Sequence, residues 1–419
     1  MAAAIRSPSA ARVAAAMACT LVMAACGTNG EKIVLNTPWW PPGTERKAES
    51  VGIKTSDLIF CTGMMEQNKT TWRPSDVIAE IHDVSDIVKA GNATLKHLVA
   101  CLVNVPAHHG NATAAALAFR KGLREAGGNP DQVALMTVPM EGEYGSWFGT
   151  STSCVATTHA AETKHTARAV SASGAATAVV VAAGNLAHVA AESTSVDVAT
   201  DLLDGAVAPA LRGAGVAAGT TALLECTAFV RDADDARAVR DALQGHSPAS
   251  PAAALAVLVL NPARLLQLPH TAPARVRLRC TASTTHPPDK AEVALPHAPH
   301  VRAIILRRAG LVFASGIDAV HANASDAFAR LGELLELAGS SLSLAANCRF
   351  FLRDGTAMKA LFGGFFAAFN RDHPPPPART EYAGVASDTC AEEEDDTGTG
   401  VARAPGCAAV VKCEAVLSP

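Results

Sequence analysis

Three times along the chain an apolar run of strand length ends on a glycine: "DLIFCTG" at Gly63, "TAVVVAAG" at Gly184 and "GLVFASG" at Gly316. The three glycines lie 121 and 132 residues apart. After each comes a segment with apolar positions at helical spacing that stops at Ala-Gly, in "DIVKAG" (Gly91), "APALRGAG" (Gly215) and "LLELAG" (Gly339). Glycine is a usual helix terminator, since it enters the left-handed region without steric cost. A cysteine-bearing strand follows, "CLVNV" from Cys101, "CTAFV" from Cys226 and "CRFFL" from Cys348. A second helical pattern comes next, in "AAALAFRKGLREAGG", "DARAVRDALQG" and "MKALFGGFFAAFN". Then a proline opens a further strand at Pro130, Pro251 and Pro377, at 29, 25 and 29 residues from the cysteine. Each unit closes on a short strand: "TSCVATTHA", "ARVRLRCTA" and "AVVKCEAVL". Six landmarks in one order, three times over, predict three tandem α+β units over 31–165, 166–290 and 291–419.

Residues 1–30 stand apart as a targeting leader or disordered segment. They carry Arg6 and Arg12, no acid, and an apolar stretch from Val13 to Ala25. A basic, acid-free leader suits mitochondrial import, and an apolar segment of this length suits a secretory signal. A mitochondrial or cytosolic location is expected, with secretion as the alternative, where the N-x-[ST] triplets at Asn68, Asn92, Asn111 and Asn323 would permit glycosylation.

The formal net charge of −4, from 35 basic and 39 acidic residues, provides no broad positive field for nucleic acid. No strongly apolar run long enough to span a membrane follows the leader. Eleven cysteines, most of them single within apolar runs, read as buried free thiols in a reducing compartment, with Cys101, Cys226 and Cys348 as core residues. No C-x-x-C, H-E-x-x-H, Walker or dinucleotide fingerprint is present, so neither a metal nor a nucleotide cofactor is expected.

The third unit resembles the YjgF/RidA family, the reactive intermediate deaminases once called L-PSP endoribonucleases. The resemblance rests on "GLVFASG", "LLELAGSSLSLAANCRFFLRD", "FFAAFNRDHPPPPART" and "VVKCEAV", and spans about 125 residues from His300. The first unit is similar through "SDLIFCTGMM" and "VKAGNATLKHLVACLVNV", and the second follows mainly by register. The resemblance implies a chorismate-mutase-like fold, a sheet with two helices on one face, in which three subunits close into a ring with ligand clefts between them. Three fused units then imply a monomer with internal pseudo-threefold symmetry, since tethering replaces association by a high effective concentration.

The resemblance also implies a site. Arg379, in Pro377-Ala378-Arg379, matches the family's substrate-carboxylate clamp, and Glu414 matches the carboxylate that helps water attack an imine carbon. A fixed guanidinium orients a 2-imino acid and a carboxylate accepts a proton from the incoming water, giving a 2-keto acid and ammonia without a cofactor. The other units depart at both places. Gln132 and Ala253 stand at the arginine position, Thr158 and Thr281 at the glutamate position, and none of them can replace a clamp or a base. One RidA-like site per chain is the expectation, and a catalytically degenerate binding or regulatory module is its alternative. The acidic run Glu392 to Asp396 reads as a solvated loop, Trp39-Trp40 as cover for the first unit, and Tyr382 is left unassigned.

Overall fold

In a computed structural model, the described residues are 31–37, 50–65, 74–106, 112–140, 151–231, 233–245, 254–260, 274–285, 289–320, 324–352, 355–369, 377–383, 385–387 and 407–418. They form three sheets. The first contains β1 (Ile33–Leu35), β2 (Gly52–Lys54), β3 (Leu58–Met65), β4 (Leu98–Pro106), β5 (Ala134–Met140) and β6 (Ser151–Thr157) in the order β1-β2-β3-β6-β4-β5. The second contains β7 (His165–Val170), β8 (Ala176–Ala183), β9 (Leu186–Ser193), β10 (Leu223–Val230), β11 (Ala254–Leu260) and β12 (Val276–Ser283) in the order β7-β8-β9-β12-β10-β11. The third contains β13 (Lys290–Leu295), β14 (Ala298–Leu306), β15 (Leu311–Val320), β16 (Ala345–Leu352), β17 (Ala378–Ala383) and β19 (Cys407–Val416) in the order β13-β14-β15-β19-β16-β17. One strand leaves its own sheet: β18 (Val385–Ser387) pairs antiparallel with β11, placing Ser387 opposite Leu258.

Helices cover one face of each sheet. They are α1 (Pro74–Ala90) and α2 (Ala112–Glu125) on the first, α3 (Ala208–Gly213, entered through a π-helical stretch Val198–Val207) and α4 (Ala233–Gly245) on the second, and α5 (Ala324–Leu337) and α6 (Gly355–Ala368) on the third. The sequence explains the docking: α2 buries Ala115, Ala118, Phe119, Gly122 and Leu123, spaced to make one apolar stripe. A Cβ at Gly122 would lie 3.0 Å from the side chains of Ile78 and Ile81, so a larger residue here would push those two side chains of α1 aside by a few tenths of an ångström. Of the three expected Ala-Gly terminators, Gly215 and Gly339 adopt the left-handed conformation with φ of 88° and 77°. In the first unit Asn92, one residue beyond Gly91, takes that role with φ of 61°.

The other face of every sheet turns inward. A single apolar cluster draws Phe60 and Leu102 from the first sheet, Leu224 and Phe229 from the second, and Phe313, Phe351 and Val410 from the third. Phe229 meets Phe351 edge to face, with centroids 6.1 Å apart. The border between the third and first sheets is closed by a parallel bridge between Ser50 and Ala378. A lysine in or just before the first strand of each sheet (β1, β7 and β13) reaches a carbonyl in, or just ahead of, a strand of another sheet. Lys32 donates to the Ser343 carbonyl at 3.2 Å, Lys164 to the Leu98 carbonyl at 3.0 Å, and Lys290 to the Thr221 and Leu223 carbonyls at 2.8 and 3.1 Å.

The cysteine reading is corrected here. Cys101 bonds Cys154, Cys226 bonds Cys280 and Cys348 bonds Cys413, each pair directly opposite on antiparallel neighbours. Facing positions on adjacent strands bring the two Cα atoms within bridging distance. Cys61 remains a buried thiol, and burial raises its pKa to about 12. Residues 1–30, Trp39, Trp40, Asn68, Asn111, Asn323 and the acidic run from Glu392 lie outside the described residues.

Candidate functional site

Along β16 and β19, side chains alternate between the helix layer and the inner face. Cys348, Phe350, Val411 and Cys413 pack toward the helices, which leaves Asn347, Arg349, Lys412 and Glu414 on the inner face. Opposite them stand Glu225 and Thr227 of β10, Arg279 and Thr281 of β12 and His188 of β9. All nine are buried, between 1% and 8% exposed.

Each oxygen of Glu414 accepts a hydrogen bond. Arg349 binds its Oε1 and Asn347 donates to its Oε2 at 2.7 Å. The other guanidinium nitrogen of Arg349 lies 3.9 Å from Glu225, which also pairs with Lys412 and accepts from Thr281 Oγ1 at 3.0 Å. Lys412 Nζ donates to Thr227 Oγ1 at 2.8 Å. Two carboxylates and two cations thus form one chain across the border of the second and third sheets. Burial pushes the Lys412 ammonium well below the ordinary lysine range. Burial, then Arg279 and Arg349, lower the pKa of His188 to about 3, so this imidazole is neutral.

Arg379 lies in β17, opposite Cys348, whereas Glu414 lies opposite Asn347. Its side chain is outside the described residues. The two backbones are separated by two strand spacings, about 10 Å. β17 packs against β3 of the first sheet and is bridged to Ser50, just ahead of β2, so that sheet supplies the neighbouring wall.

Register also moves the counterparts in the other units. The residues opposite Cys101 and Cys226, where Arg379 stands opposite Cys348, are Leu135 and Leu255 rather than Gln132 and Ala253. After the bridged Cys154 and Cys280 come Val155 and Thr281, so Val155 replaces Thr158 as the first unit's counterpart of Glu414. The offset arises because Pro130 begins a short 3-10 turn, Pro130–Gln132, and the strand itself opens at Ala134.

Among the described residues no group of three or more His, Cys, Asp and Glu side chains is placed to hold a metal ion. No helix among them is long and apolar enough to cross a membrane.

No family model and no curated protein matches the chain. Among solved structures it is similar to a chorismatase, with 16% identity, a TM-score of 0.37, and coverage of 55% of this chain and 76% of that one. A YjgF-family protein from Neisseria meningitidis aligns with 18% identity and a TM-score of 0.22, over 31% of this chain and 98% of its own. A member of the same family from Mycobacterium tuberculosis aligns with 18% identity and a TM-score of 0.20, over 27% of this chain and 84% of its own. The chain is a mixed α+β protein of three sheets whose structural neighbours are YjgF/L-PSP and chorismatase proteins.

Proposed function

We propose that the chain is three tandem YjgF-like units, 31–165, 166–290 and 291–419, closed as an internal pseudo-trimer. Its inner site has become structural, leaving a small-acid binding or regulatory module. The strand order common to the three sheets and the lysine that ties the first strand of each sheet to another sheet support the ring. The loss of hydrolysis rests on one observation: both oxygens of Glu414 are committed, one to Arg349 and one to Asn347. A carboxylate so held keeps one lone pair on each oxygen, but the guanidinium beside it stabilises its charged form and weakens it as a proton acceptor for an attacking water.

The second reading is RidA-like hydrolysis of a 2-imino acid at Arg379 and Glu414. It is favoured by the retained Pro377-Ala378-Arg379 entry to β17, whose Pro377 and Ala378 are buried against the first sheet. The test is ammonia release from 2-aminoacrylate generated in situ by a serine dehydratase. The module reading expects the folded chain to leave the rate at its uncatalysed value. Acceleration abolished by Arg379→Ala and by Glu414→Ala would reinstate the hydrolase. As to location, three disulfides favour the secretory alternative over the cytosol.

A further inference from the structure

The first unit holds three cysteines in one row across its sheet. On β6, Cys154 stands directly opposite Cys101 of β4 and, on its other side, directly opposite Cys61 of β3. Directly opposed residues share a face of the sheet, and all three side chains lie in the apolar cluster beneath α1 and α2. Cys154 is bonded to Cys101, and Cys61, 2% exposed, is a free thiol. The row is confined to this unit. Val189 stands opposite Cys280 in the second sheet and Ala314 opposite Cys413 in the third, so neither of those bridges has a thiol at the corresponding place.

Register decides whether Cys61 can reach the bridge. In an antiparallel sheet a residue of a central strand forms a narrow pair with one neighbour and a wide pair with the other. The Cα atoms of Cys101 and Cys154 are 4.2 Å apart, which marks the narrow pair. Cys61 and Cys154 then form the wide pair, with Cα atoms about 5.5 Å apart, near the commonest separation across a disulfide. Both bridges fit one backbone, and exchange between them asks for side-chain rotation rather than strand movement.

We infer that the first unit carries a movable disulfide, which Cys61 shifts from the β4–β6 pair to the β3–β6 pair. The Cys61 thiolate attacks the Cys154 Sγ, the bond from that sulfur to Cys101 breaks, and Cys101 leaves as a thiolate that takes up the proton Cys61 gave away. One S–S bond forms and one breaks, so no oxidant or reductant enters. The move changes which border the bridge serves. β4 packs against β8 and β9 of the second sheet, and its Leu98 carbonyl accepts from Lys164. β3 packs against β17 of the third sheet. Exchange thus frees the strand at one border and pins the strand at the other. Burial keeps Cys61 protonated, raising its pKa to about 12, which makes exchange slow at neutral pH and leaves Cys101–Cys154 as the resting bridge.

The test is disulfide mapping of the folded full chain. Accessible thiols are blocked with iodoacetamide at neutral pH and the reagent is removed. The chain is then held at pH 8 or pH 9, quenched in acid, unfolded, alkylated with N-ethylmaleimide at pH 5 and digested without reduction. Before incubation, maleimide is expected on Cys61 and not on Cys101. At pH 9 a Cys61–Cys154 peptide should appear together with maleimide on Cys101, about tenfold faster than at pH 8, because the thiolate fraction rises about tenfold per pH unit below the pKa. Cys61→Ala should leave Cys101 unlabelled throughout, and the Cys226–Cys280 and Cys348–Cys413 bridges should stay closed. In a second arm, Cys101→Ala oxidised with glutathione disulfide should form the Cys61–Cys154 bridge. Circular dichroism establishes that this variant folds; if it does not, the time course of the wild type decides. The inference is overturned if wild type held for a day at pH 9 carries label on Cys61 alone, if Cys101 is labelled equally in Cys61→Ala, if Cys154 links to other cysteines as readily as to Cys61, or if folded Cys101→Ala keeps Cys61 and Cys154 unbridged.

Discussion

Arg349 carries more than any other single side chain at the border of the second and third sheets, since it touches Glu414 and faces Glu225. Removing one partner of a buried ion network leaves an uncompensated charge, at a cost of about 3–5 kcal/mol. Arg349→Met is expected to lower the unfolding free energy by that order, read as a lower denaturant midpoint, and adding Glu414→Gln should restore part of the loss. A neutral single variant would show that the network is not a stabilising unit. His188 sets the acid limit. Its folded pKa of about 3 lies below the ordinary 6.5, so the unfolded chain binds a proton that the folded one refuses. Stability therefore falls as pH drops from 6.5 toward 3, by about 1.4 kcal/mol per pH unit at most. His188→Gln should flatten that acid limb in a pH series of thermal melts. The sequence made Glu414 legible but not its neighbours. Arg349 and Lys412 sit inside apolar strands, and their partner Glu225 is more than a hundred residues away, so local pattern carries no trace of the network.

At the scale of elements, strand and helix order could be read from apolar period and punctuation, because each local signal agreed with the fold it served. The disulfides were missed although a signal was present. Every unit has a second cysteine in its closing strand, at separations of 53, 54 and 65 residues from the first. Only the antiparallel pairing of the fourth and sixth strands of each unit turns that recurrence into contact. Peptide mapping after alkylation without reduction should find all three bridges, and labelling of Cys101, Cys226 or Cys348 in the denatured, unreduced chain would disprove them. Loops of this length make each bridge worth about 2–5 kcal/mol, so reduction should lower the denaturant midpoint markedly. The lysine contacts give a second signature. Burial lowers the pKa of Lys32 to about 7 and of Lys164 and Lys290 to about 8, below the unfolded 10.5. Unfolding thus takes up protons between pH 7 and 10.5, and stability should rise with pH across that window. Replacing all three lysines with methionine should reduce the rise, whereas an unchanged slope would show that these amines are solvated.

For the whole molecule, the decisive feature is that, among the described residues, the helices of each sheet lie on one face. The opposite faces share one apolar cluster, to which all three sheets contribute large side chains such as Phe60, Phe229 and Phe351. A unit separated from its neighbours would expose that face, and the second and third would also lose the buried Arg349–Glu225 and Lys412–Glu225 pairs between them. Exchange of β18 into the second sheet ties the third unit to it a second time. Within one chain the three faces find each other at an effective concentration set by short linkers rather than by protein concentration. The full chain should therefore run as a monomer of 42.9 kDa in light scattering, with a mass that does not change on dilution. Thermal unfolding should follow a single transition whose midpoint is independent of concentration. A mass near three chains would mean that the sheets seek partners in other molecules, and would overturn the internal ring. Three separate transitions would mean that each unit holds its own core, and the shared cluster would then contribute little to the stability of the molecule.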